Sequence, residues 1–289
     1  AIQPLLSDTE LSKLYGIFLI AYSQQNLHSI SFRLISLPKP EKLEEDLSTE
    51  VTKEDLDNAW TDEFGVKYSK DRKRLLKGNY KLTEYTVRKG TKVICDGAFS
   101  EHDSLQTFKI RDLNSYSWCT YLLKSIDLPQ SIIKIGDYSF SGCSELESIA
   151  LPNLITEIGV NAFGGCDKLQ NITIPNSARK IGDGVFSDCE IQLNIKSSKF
   201  VFDGTCLIDK ISYRWISCCN KNVYSYNIPD CVTVIGNNAF SWCKELREIT
   251  IPNSVTQIGY NAFNSCERLQ SIILPSSVIE IGSSVFDGC

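Results

Sequence analysis

Methionine is absent from this sequence, and histidine occurs only twice, at His28 and His102. The missing methionine, initiator included, points to a processed or truncated chain or to a modified residue not written out. So few histidines, with no Cys-x-x-Cys pair, argue against zinc, whose ligands come closely spaced. There is no excess of positive charge: 30 Lys and Arg against 35 Asp and Glu leave a net −5. Counterion release from phosphates therefore gives the chain no general affinity for nucleic acid. The longest apolar run, Leu14 to Tyr22, is about half of what a membrane-spanning helix requires, so no membrane insertion is expected. A Walker loop, a Gly-rich dinucleotide turn and a Gly-x-Ser-x-Gly elbow are all lacking. No catalytic, cofactor-binding or metal-ligating residue is named, no cofactor is expected, and the chain reads as something other than an enzyme.

What is present is a repeat. Ile-Gly is followed by Phe four residues after the Gly, by Cys three later, by Leu three later and by Ile three later. The Gly falls at 136, 159, 182, 236, 259 and 282, the aromatic at Phe140, Phe163, Phe186, Phe240, Phe263 and Phe286, and the thiol at Cys143, Cys166, Cys189, Cys243, Cys266 and Cys289. Within each block of three the period is 23 residues, and the jump from 182 to 236 adds 31 more. Leu169-x-x-Ile172-x-Ile174-Pro175 alternates as a short strand that Pro175 ends, and the pattern recurs at Leu146 to Pro152, Leu246 to Pro252 and Leu269 to Pro275. One such strand cannot bury its apolar side alone. Stacked copies make a parallel ladder over a continuous core. The recurring Gly supplies either a positive φ or a close backbone approach at a corner.

The run Pro252-Asn253-Ser254-Val255-Thr256-Gln257-Ile258-Gly259-Tyr260-Asn261-Ala262-Phe263-Asn264-Ser265-Cys266 resembles the BspA-like leucine-rich repeats, found in surface proteins of gut and oral bacteria and of some parasitic protists. The resemblance is strong over residues 126 to 289 and weak over 85 to 125. It implies a right-handed, β-rich leucine-rich-repeat solenoid of short strands and turns and, for some members, adhesion to host or bacterial proteins. It implies no chemistry. Two degenerate coils extend the array backward: Ile94, Cys95 in the Gly place, Phe99, His102 in the Cys place, Leu105, Phe108 and Ile110, then a shortened coil from Leu113 through Trp118 to Ile126 and Pro129. That makes eight coils.

Residues 196 to 226 form the insertion and read as β-hairpins flanking the solenoid. A second copy precedes the first coil, because Val66, Leu75-Leu76, Tyr85, Val87 and Val93-Ile94 run in the same order as Val201, Trp215-Ile216, Tyr226, Ile228 and Val234-Ile235. The expected organisation is a helical N-terminal cap over 1–62 and a solenoid over 63–289, with a hairpin at 63–88, coils at 89–195, inserted hairpins at 196–226 and coils at 227–289. Within the cap, Ser7-x-x-Glu10 starts an amphipathic helix over 8–25, a strand covers Phe32 to Leu37, and a short helix follows Thr52. The chain stops at Cys289 in mid-coil, so residues are missing there or that end packs on another copy.

Six repeat cysteines form an inward column of buried thiols, whose parallel side chains disfavour pairing along it. Cys206, Cys218, Cys219 and Cys231, in or near the insertion, leave a disulfide open. A Cys/His nucleophile formed by His102 with the column has no oxyanion hole and no orienting acid. Lys39 to Glu63 carries ten acidic and three basic residues, and Lys67 to Lys81 seven basic and one acidic; this segregation reads as a solvated hairpin beside its acidic neighbour. Outward strand positions are Ser148, Ala150, Asn171, Thr173, Glu248, Thr250, Ser271 and Ile273. They are small and mostly polar. Of these, Ser148, Asn171, Thr173, Glu248, Thr250 and Ser271 are the expected partner face on a concave ladder. The expected function is a non-catalytic protein-binding or adhesion scaffold for a protein or glycoprotein ligand; the alternative is self-assembly through the last coil or the inserted hairpins. The resemblance points to the cell surface or secretion, whereas many free thiols suit a cytoplasmic compartment.

Overall fold

A computed structural model describes residues 47–100 and 122–289. The expected helix over 8–25, the strand at Phe32 to Leu37, and His102, Leu105, Phe108 and Trp118 of the degenerate coils lie outside the described residues. The chain divides after Leu47, and the solenoid unit is Ser48–Cys289.

The solenoid unit opens on α1 (Lys53–Asp57), where Thr52 and Asp55 form a reciprocal capping box. Antiparallel strands β1 (Trp60–Thr61), β2 (Lys67–Tyr68) and β3 (Arg74–Lys77) follow. The coils then contribute β4 (Glu84–Thr86), β5 (Val93–Ile94), β6 (Ser125–Asp127), β7 (Lys134–Ile135), β8 (Ser148–Ile149), β9 (Glu157–Ile158), β10 (Asn171–Ile174), β11 (Lys180–Ile181) and β12 (Gln192–Ile195). A second antiparallel set, β13 (Phe200–Phe202), β14 (Cys206–Asp209) and β15 (Arg214–Cys218), precedes β16 (Ser225–Asn227), β17 (Val234–Ile235), β18 (Glu248–Thr250), β19 (Gln257–Ile258) and β20 (Glu280–Ile281). The result is a β-solenoid of about eight turns, with very little helix among the described residues.

Each coil supplies two short strands to two parallel ladders. One ladder runs β3-β5-β7-β9-β11 and resumes as β15-β17-β19-β20. The other comprises β4-β6-β8, β10-β12 and β16-β18. The 23-residue period is the register itself, with Lys134 opposite Glu157 and Glu157 opposite Lys180.

β5 pairs directly with β7, Ile94 opposite Ile135, and Tyr85 stands opposite Ile126; most of the two degenerate coils expected between them lies outside the described residues. One expectation is corrected by the packing: the inserted hairpins are set into the stack and do not flank it. Phe200, Leu207, Ile216 and Cys219 join the core of the first coils, while Cys206, Ile208, Trp215 and Cys218 join that of the last ones. A two-faced apolar strand pair can bury both sides only by standing between two cores.

The repeat residues build columns. Phe99, Phe140, Phe163 and Phe186 stack at centroid spacings of 5.4, 5.4 and 5.9 Å. A second stack runs from Trp215 through Phe240 and Phe263 to Phe286 at 5.2, 5.3 and 5.8 Å. Beside them, the thiols of Cys143, Cys166, Cys189 and Cys266 donate to the carbonyl of the Phe one coil earlier, at 3.1 to 3.3 Å. The Gly column answers the question left by the sequence. A Cβ on Gly159 would meet Asp137 N at 2.4 Å and Gly136 C at 2.5 Å, so the requirement is close approach of stacked backbones. Positive φ falls two residues later, at Tyr138 (54°), Asn161 (48°), Asn238 (54°) and Asn261 (53°). Asn tolerates that region better than most side chains.

Candidate binding face

Alternation along the second ladder turns one set of side chains into the core and the other to solvent. On β10, Ile172 and Ile174 are buried while Asn171 and Thr173 are exposed. Ser148 on β8 and Glu248 and Thr250 on β18 are likewise exposed. Ser271 and Ile273 also face solvent, but 269–275 lacks a strand: β18 pairs with β16 and, among the described residues, nothing bonds to its other edge. The structure thus places the predicted face on separate segments, Ser148 on β8, Asn171 and Thr173 on β10, and Glu248 and Thr250 on β18, with Ser271 exposed in the strandless stretch that follows. Among the described residues no ladder pairing joins β8 to β10 or β12 to β16.

Sequence reading missed an aromatic-cationic feature beside the second segment. Ser225 lies opposite Glu248 in the ladder, which sets Tyr224 next to Arg247. The Arg247 guanidinium sits 4.8 Å from the centroid of the exposed Tyr224 ring. Arg and Tyr are the side chains that most often anchor interfaces. The usable signal was the 23-residue spacing from Ser225 to Glu248, which carries the repeat back into the tail of the insertion.

The remaining candidates are structural. Burial pushes the thiols of Cys95 and Cys189 up to about 12 and raises those of Cys143 and Cys166 well above the ordinary thiol value, which leaves them protonated. Among the described residues no group of three His, Cys, Asp or Glu is placed to hold a metal ion, and no helix is long and apolar enough to cross a membrane. Open depressions of about 400 and 450 Å³ lie beside Val87, Leu128 and Pro129 and beside Thr52, Asp55 and Lys70; neither gathers a nucleophile, a base and an oxyanion donor. In the basic stretch, Arg72 and Arg88 enclose the Trp60 ring at 4.4 and 4.6 Å, and Arg74 pairs with Asp55 at 2.9 Å. Those charges are held by the chain's own neighbours.

Six copies of the BspA type leucine-rich repeat region match the sequence over residues 72–192 and 209–289, more than half of the chain. No curated protein matches it. Among solved structures, a leucine-rich repeat protein of Eubacterium ventriosum is 22% identical over 80% of this chain and 50% of its own, with a TM-score of 0.37. A leucine-rich cell surface protein of Faecalibacterium prausnitzii is 23% identical over 72% and 52%, with a TM-score of 0.48. The pneumococcal vaccine antigen PcpA is 19% identical over 80% and 79%, with a TM-score of 0.46. The chain spans about half the length of the first two.

Proposed function

The chain belongs to the BspA-type leucine-rich repeat family, and from that premise we propose that it is a non-catalytic scaffold, exported and surface-facing, that holds a protein or glycoprotein ligand on the outward side of its strand ladders. The observation carrying this reading is the contrast between the two sides of each strand. Ile172, Ile174 and Leu246 are consumed by the core. Ser148, Asn171, Thr173, Glu248, Thr250 and Ser271 are exposed, and among the described residues their side chains take part in no hydrogen bond or ion pair. Several short rows of mostly small side chains without structural duty suit a macromolecular partner better than a small substrate, which needs a concave pocket. Tyr224 and Arg247 supply the larger anchors.

The test is capture by the immobilised chain from a panel of extracellular and bacterial surface proteins, glycosylated and deglycosylated. It is repeated with Thr173→Arg/Thr250→Arg and with Tyr224→Ala/Arg247→Ala. Loss of binding by tenfold or more in these variants, with unchanged thermal stability, supports the reading; equal binding by all three chains contradicts it.

Self-association through the inserted hairpins is a second reading, favoured by the exposed Ile211 (70%) and Tyr213 (51%) in the turn between β14 and β15. A mass in light scattering that rises with concentration supports it, and a constant monomer mass contradicts it.

A further inference from the structure

Cys143, Cys166, Cys189 and Cys266 of the thiol column donate to a carbonyl one coil back. Cys206 and Cys218 are placed differently, directly opposite each other across the antiparallel β14-β15 pair. In such a pair bonded and non-bonded positions alternate. The neighbouring position is bonded, Cys219 N–H donating to Thr205 O at 2.7 Å, whereas Cys218 N–H leaves the hairpin for Ala239 O at 2.6 Å. Cys206 and Cys218 therefore occupy a non-bonded position, where Cα atoms approach to about 4.5 Å. That lies within the roughly 4.4–6.8 Å that a disulfide spans. Both side chains point into the same core, at 0% and 3% exposure.

The thiols of Cys206 and Cys243 both hydrogen-bond to the Cys218 sulfur, which holds the Cys218 pKa well below its ordinary value; burial raises that of Cys206. Cys243 comes from the following coil, and Cys219 faces the opposite core. Among the described cysteines only Cys206 stands across the strand. It also adjoins the exposed turn at Asp203 and Gly204, so opening of that turn gives a reagent access.

We propose that Cys206 and Cys218 form a disulfide-bonding pair, a covalent site that closes the β14-β15 hairpin when the chain meets a small organic disulfide such as oxidised glutathione. Cys218, whose thiol donates to Asn220 O at 3.4 Å, gives its proton to solvent base, and its sulfur attacks one sulfur of the reagent, breaking its S–S bond and releasing one reagent thiolate. Cys206 then gives its proton to solvent base, and its sulfur attacks that of Cys218, releasing the second reagent thiolate. Two protein thiols are oxidised and one reagent disulfide is reduced to two thiols. The bridge ties together the strands that separate the two cores.

The full chain is refolded in a buffer of reduced and oxidised glutathione, free thiols are alkylated under denaturing conditions, and peptides are mapped by mass. The expected result is one dominant cross-link, Cys206 to Cys218, with the intact chain lighter by two hydrogens and a Tm that falls by about 5–10 °C on adding reductant. In Cys206→Ala the cross-link disappears and Cys218 is recovered alkylated. Recovery of both cysteines alkylated in the native sequence overturns the proposal, as does a dominant link from Cys218 to Cys243 or Cys219. Mapping of the native sequence decides the matter even where the variant does not fold.

Discussion

Replacing Gly159 by Ala probes the packing of one coil on the next. The added Cβ would stand 2.4 Å from Asp137 N and Oδ1 and 2.5 Å from Gly136 C, about 1 Å inside ordinary contact. These are mostly backbone atoms, pinned by Gly136 N–H to Ile94 O at 2.8 Å and Gly159 N–H to Ile135 O at 2.9 Å. Neither coil can yield without stretching the ladder. Overpacking of this kind costs about 1–3 kcal/mol. Displacement also endangers the bond from Val160 N–H to Asp137 Oδ1 at 2.7 Å, worth about 1 kcal/mol. A loss of about 2–4 kcal/mol lowers Tm by roughly 5–15 °C. Gly164→Ala is the control, because its nearest neighbour would be Asn161 O at 3.5 Å and its φ lies outside the left-handed region. It should be neutral or stabilising by up to about 1 kcal/mol through the unfolded chain. Urea unfolding followed by tryptophan fluorescence compares the two. Equal midpoints for both variants would refute the close-approach argument.

Phe163→Ala removes the ring held between Phe140 and Phe186 and should cost about 3–5 kcal/mol in the same assay; a loss below about 1 kcal/mol contradicts a packed column. Burial raises the Asp188 carboxyl from 3.8 to about 6, outweighing Lys221, with Asp167 adding to it. A raised acid favours the proton in the folded state, so its contribution is fully present below about pH 3.8 and is lost as pH rises through about 6. Asp188→Asn should therefore stabilise by about 1–3 kcal/mol at pH 7.5, with the gain vanishing at pH 3.5. A pH-independent difference would show that the charge is not the cause. Iodoacetamide on the folded, reduced chain should label Cys231 and Cys289, the two exposed thiols among the described ones, well before Cys143, Cys166 or Cys189. Rapid labelling of Cys166 would mean that the coils open freely.

Much of the fold is legible in the sequence because the 23-residue spacing of Gly, Phe and Cys becomes ladder register without alteration. The inward and outward residues of Asn171 to Ile174 follow from period-2 alternation alone. The hairpin duplication was legible too: Leu75 stands opposite Ile94 as Trp215 stands opposite Ile235. Its finer alignment was not, since pairing matches Val66 to Cys206 and Trp60 to Val201. The equivalence extends to Asp62 and Asp203, which accept the hydroxyls of Tyr85 and Tyr226. Intercalation of the second hairpin could not be read from a strand such as Cys206–Asp209, because a continuous apolar run reports burial on both faces without saying what covers them. Tyr224 with Arg247 needed the register across the insertion before it could be seen.

If one side of a ladder strand is structural and the other free, an alanine scan of β10 separates the two. Unfolding midpoints are measured for Asn171→Ala, Ile172→Ala, Thr173→Ala and Ile174→Ala. Alternation is expected, with about 2–5 kcal/mol lost at Ile172 and Ile174 and within about 0.5 kcal/mol of no change at Asn171 and Thr173. Comparable losses at all four positions would contradict it, since the outward side would then have structural work and no residues to spare for a partner.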